Sequence, residues 1–211
     1  MAKDNAVRQK RSRFDAEAAY ANSIFRSAIG DSAGCIRALE RAIEIDPTYA
    51  PAVLSMGSVE YQRKRKAKGR KLLLSLVEMP DEVADLAEII DKAGDFLIAA
   101  HEYADGLELY RAAARRFPEV AVIHQGRGCC AGHTGDHEEA VDASRRALQL
   151  EPDNQKFVND LGWTLFQSGA LQEARVVLER AVAMDPADEL ARENLRLCRL
   201  KFAQRRRRKS A

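Results

Sequence analysis

The clearest alternation of apolar and polar positions in the chain lies between Gln155 and Asp188. Apolar and small residues recur at Val158, Leu161, Gly162 and Leu165, then at Ala174, Leu178 and Ala181. Steps of three and four place each group along one side of a helix. Gly169 interrupts the pattern and Pro186 ends it, so the segment reads as helix, turn, helix, stop. The same frame returns thirty-four residues upstream at Gly128, Gly135, Ala140, Ala147 and Pro152, and again at Gly94, Gly106, Ala113 and Pro118.

The first half of the chain carries the frame less regularly. Ala19 and Ser23 precede a turn at Gly30-Asp31, and Cys35, Leu39 and Ala42 follow before Pro47. A second unit starts near Tyr49 with Val53, Met56, Gly57 and Tyr61, then Gly69, Leu73 and Leu76. Its Pro80 arrives one residue early, and residues 81–85 form an insertion. The repeats are expected at about 16–48, 49–82, 87–119, 121–153 and 155–187. Leu190, Leu195, Leu197, Leu200 and Phe202 predict a capping helix over 188–204. Residues 1–15, polar and basic, are expected to be disordered, and 205–211 to form a basic tail.

A thirty-four-residue period with small residues at these places resembles the tetratricopeptide repeat. The resemblance implies an all-α, right-handed superhelical solenoid of about five antiparallel helix pairs plus a C-terminal cap, continuous over 16–200, each repeat buried against its neighbours. It also implies a non-catalytic interaction scaffold that holds a peptide segment or partner helix in a concave groove. In this family a second stripe of each first helix lines that groove. Here the stripe would present Lys156, Asn159, Trp163 and Phe166 in the fifth repeat, and Tyr20 and Tyr61 in the first two. Asp91 and Asp95 would supply it in the third, and Gln125, Cys129 and His133 in the fourth. Trp163 is the sole tryptophan; the structural alternative is that Trp163 and Phe166 cover the leucines of the cap. The clamp of basic residues and asparagines by which some members hold chaperone C-termini is not assembled, since only Lys156 and Asn159 are present.

Composition refines this picture. The chain is 46% hydrophobic and 31% charged but only 6% aromatic, which suits short helices joined through small residues. No apolar run approaches the ~18 residues that cross a bilayer, and a cytoplasmic location is expected. Cys35, Cys129, Cys130 and Cys198 lack the spacing of a disulfide framework and read as reduced thiols. The net charge of +2 conceals segregation. Seven of the nine residues from Arg63 to Lys71 are basic (Arg63, Lys64, Arg65, Lys66, Lys68, Arg70 and Lys71), whereas 81–108 holds nine carboxylates against Lys92. The alternative function is therefore a binder of nucleic acid or another anionic surface through this turn and the basic termini. Against it stands a solvated turn balanced by the acidic repeat. Self-association is left open.

Chemistry beyond binding finds little support. Val120–Ile123 followed by Gly126, Gly128 and Ala131 imitates a dinucleotide-binding turn, but the register of Gly128, Ala140 and Pro152 assigns the segment to a repeat helix. Cys129, Cys130, His133 and His137 crowd together without the spacing of a zinc module, and the expectation is no metal, no cofactor and no catalytic residue. Gly126 and Gly132 match neither the packing position nor the turn. They read as surplus, weakening the fourth repeat's first helix by about 1 kcal/mol each relative to alanine.

Overall fold

The computed structural model of the chain describes the backbone of residues 2–209 and the side chains of residues 12–205; Met1, Ser210 and Ala211 lie outside it. The described residues form eleven α-helices and no strand. In order these are α1 (Ala2–Ala28), α2 (Ser32–Ile45), α3 (Ala50–Gln62), α4 (Lys66–Ser75), α5 (Leu86–Ala99), α6 (Tyr103–Arg116), α7 (Ala121–Thr134), α8 (His137–Leu150), α9 (Gln155–Ser168), α10 (Leu171–Met184) and α11 (Glu189–Lys209), with one short 3-10 turn at Leu76–Glu78. The chain divides into two compact units, residues 1–96 and 97–211.

One turn, used five times, sets the helix-turn-helix pattern. Gly30, Lys64, His101, Gly135 and Gly169 all have positive φ, from 58° upwards, at equivalent places after a first helix. At each, two backbone bonds close the helix end. Asp136 N donates to Ala131 O and Gly135 N to Gly132 O; Ala170 N donates to Leu165 O and Gly169 N to Phe166 O; the other three turns repeat the pair. These bonds satisfy carbonyls that a helix end otherwise leaves open. Glycine takes the left-handed conformation freely, whereas Lys64 and His101 adopt it at a cost. That is why the sequence shows the turn at Gly30, Gly135 and Gly169 and hides it at the other two.

Within the second unit the small residue of each first helix lets the second helix approach. A Cβ added at Gly162 would lie 2.6 Å from Leu178 Cδ2, and one at Gly128 would lie 2.8 Å from Ser144 Oγ. Val141, Leu161, Leu165, Ala174, Leu178, Leu195 and Cys198 make one core cluster. In α11 the packed side is Ala191, Asn194, Leu195 and Cys198, while Leu190 and Leu200 are exposed. The cap therefore forms as expected but through a face that its leucine count obscures. In the first unit Ala16, Leu39, Ala42, Tyr49, Ala52 and Met56 form the core.

Both ends depart from expectation. Helix α1 begins at Ala2, and packing has begun by Ser12, whose hydroxyl donates to Ile45 O at 2.8 Å. Arg13 lies over the Tyr49 ring, burying its stem against an aromatic face. At the other end α11 continues to Lys209, and Arg205 donates to Gly169 O at 3.1 Å, capping the carbonyl end of α9. Polarity alone suggested tails; the long arginine stems supply the contacts that polarity hides.

Candidate functional site

The open face of first helices in the second unit carries a small cavity between α7 and α9. Its volume is about 80 Å³, and Gln125, Cys129, His133, Asp160, Trp163 and Gln167 are among its walls. On α9 the residues that face it, Asp160, Trp163, Thr164 and Gln167, recur at helical spacing. Trp163 is half-buried, and among the described residues its indole N–H has no acceptor. Its ring lies 5.1 Å from that of Phe166.

Asp160 dominates the electrostatics of the cavity, and the sequence reading passed over it. Gln125 Nε2 donates to Asp160 Oδ2 at 3.0 Å, and among the described residues the carboxylate forms no ion pair. Burial raises its pKa above the ordinary carboxylate value, opposed by the Gln125 hydrogen bond and by the charge of Lys156 one turn away. The signal in the sequence was Asp160 beside Asn159, which the stripe assigned to the wrong one of the two neighbours.

The remaining predicted groove residues are scattered. Asn159 is 3% exposed and accepts a hydrogen bond from Asn194 Nδ2 at 3.0 Å, so α11 covers it and it is unavailable to a ligand. Phe166 packs partly against the core cluster that includes Leu195 and Cys198 of α11, with Lys201 Nζ 4.5 Å from its ring centre. Lys156 is exposed outside the cavity. In the first unit Tyr61 is 5% exposed and stacks edge-on against Phe96, which removes it from the open face. Tyr20 does line an open groove of about 590 Å³ with Ile24, Leu54, Ser58, Lys92 and Phe96. Asp91 is half-buried and Asp95 exposed, and neither lines that groove.

A regular contact links successive first helices. Tyr20 Oη lies 3.3 Å from Ser55 Oγ, Gln125 bonds Asp160, and Asn159 bonds Asn194, each pair thirty-five residues apart and at equivalent repeat positions. Of the three rungs only the middle one contains a charge.

The basic segment is organised around a buried acid. Glu60, whose side chain is fully buried, receives Lys68 Nζ at 3.0 Å and lies 3.8 Å from Arg63 and 3.7 Å from Arg65. Three of the seven cations thus converge on a carboxylate in the helix before the turn, a partner that charge counting had placed in the following acidic repeat. Of the cysteine–histidine cluster, Cys130 is buried and His133 stacks flat on Tyr103 at 4.0 Å. Among the described residues no three potential ligands converge on one point. No helix among them is long and apolar enough to cross a membrane.

Two family models, each described as tetratricopeptide repeat, match residues 92–154 and 133–206. The chain is 30% identical over 115 residues to the small glutamine-rich tetratricopeptide repeat-containing protein 2 of Mycosarcoma maydis, a match covering 54% of this chain and 33% of that protein. It thus spans about a third of that relative's length. Among solved structures it is similar to YrrB, a TPR protein with an unusual peptide-binding site, with a TM-score of 0.59 and 17% identity over 92% of this chain and 97% of the other. It is also similar to the first TPR of Spaghetti (RPAP3) bound to an HSP90 peptide, with a TM-score of 0.52 and 20% identity over 56% of this chain and 93% of that one.

Proposed function

We propose that this chain, which belongs to the tetratricopeptide-repeat family, is a non-catalytic interaction scaffold that holds an extended peptide segment or partner helix against its first helices. The observation that carries the reading is Trp163, half-buried at the rim of a cavity on that face. A tryptophan so placed offers apolar area and a donor together, the combination found at the energetic centres of interfaces. The peptide complexes of structural neighbours support the same reading by analogy of fold. Cys35, Cys129, Cys130 and Cys198 form no disulfide, which suits a cytoplasmic scaffold. The alternative of an anionic partner at 63–71 draws less support, because Glu60 already engages Arg63, Arg65 and Lys68.

Affinity capture with wild-type protein and with Trp163→Ala plus Gln167→Ala tests the proposal. The expected result is loss of specific partners in the variant at unchanged helical content. Recovery of the same partners by an equally folded variant would sink it.

A further inference from the structure

We infer that the cavity between α7 and α9 receives a lysine side chain of the bound peptide, with its ammonium on Asp160 and its methylenes along the Trp163 ring. The inference rests on the peptide-binding reading above and adds the chemistry of the occupant. Among the described residues Asp160 is a half-buried carboxylate with one neutral hydrogen-bond donor and no ion pair, Lys156 acting on it only from one turn away, so its charge is only partly compensated in the free protein. Such a group gains from an incoming cation more than an exposed carboxylate would, because the cost of its desolvation has been met in folding. Trp163 beside it offers the aromatic face that cations and their alkyl stems prefer.

Geometry selects lysine over arginine. Gln125 already takes one lone pair of Asp160 Oδ2, so a guanidinium, whose strength comes from two parallel bonds to both oxygens, has to share Oδ2 with that amide. An ammonium needs only one carboxylate oxygen and can spend its other protons on neutral acceptors, which Gln167 Oε1 and Ser144 Oγ supply in the same walls. A volume of about 80 Å³ admits the end of a straight side chain.

The single tryptophan makes the site its own reporter. Intrinsic fluorescence is followed during titration with four alanine-serine heptapeptides that differ only in a central lysine, arginine, acetyl-lysine or glutamate. The lysine peptide should bind at least about tenfold more tightly than the acetyl-lysine peptide, with arginine intermediate. Asp160→Asn, which can still accept from Gln125, should abolish that preference. Equal binding of lysine and acetyl-lysine peptides overturns the inference while leaving the peptide-binding reading intact. A preference that survives Asp160→Asn also overturns it. So does the absence of any Trp163 response to all four peptides, which leaves the peptide-binding reading to its own capture experiment.

Discussion

Two glycines that look alike in the sequence of α7 part company in the structure. A Cβ at Gly126 would lie 2.1 Å from Cζ of Tyr110, a fully buried side chain, so this glycine makes room for an aromatic and is not surplus. At Gly132 the nearest atom is Gln167 Oε1 at 3.1 Å, the end of a flexible chain that can swing aside. Gly126→Ala should therefore destabilise by about 1–3 kcal/mol through overpacking. Gly132→Ala should gain up to about 1 kcal/mol of helix propensity. Urea midpoints of the two variants should move in opposite directions. Asp160 gives a second test at this scale. Its raised pKa means that folding disfavours the charged form. The penalty is absent below the unfolded-state value near 3.8 and grows as pH rises through the folded-state pKa. Lys156 on its own helix, and Cys129 and His133 across the cavity, are the other titratable groups near it. Asp160→Asn should accordingly be more stable than wild type at neutral pH, with the difference shrinking on acidification. Unfolding midpoints measured across that range would contradict this if the difference stayed constant or changed sign.

Each helix pair was legible because three constraints coincide in it: the period of the apolar face, a small residue where two helices touch, and a left-handed residue at the turn. Gly162, Leu178 and Gly169 state all three in the fifth repeat. What the sequence could not settle was angular position within about one residue, since neighbours on a helix point only ~100° apart. Asn159 and Asp160 show the consequence, one sealed beneath α11 and the other opening onto a cavity. The Asn159–Asn194 bond is then a structural element contact, and it yields a sharp expectation. Either single alanine should cost about 1–3 kcal/mol, because it strands a buried amide. The double alanine should cost less than the sum, with a coupling of about 1 kcal/mol or more in a double-mutant cycle. Strict additivity would show that the two amides are satisfied independently.

At the scale of the whole molecule, the sequence announced the repeat family and the cap but gave no sign of the division into two units, because the frame runs through both. Stability in such arrays is a sum of local terms, so the last helix carries weight out of proportion to its polar composition. Ending the chain at Asp188 would expose Val158, Ala181, Leu161 and Leu165. The second unit should then lose cooperativity, seen as an earlier and broader thermal transition by circular dichroism; an unchanged transition would mean that α11 is ornamental to folding. The rungs between first helices carry a different kind of message. Ser55, Asp160 and Asn194 occupy equivalent places, yet Asn194 is sealed in the packed side of α11 while Asp160 opens onto a cavity. One position of the frame thus closes a joint in the cap and lines an open face one repeat earlier. What the next helix lays over a rung decides which of the two it is, so the frame can stay constant while the chemistry of the rung changes from a pair of amides to an amide and a carboxylate.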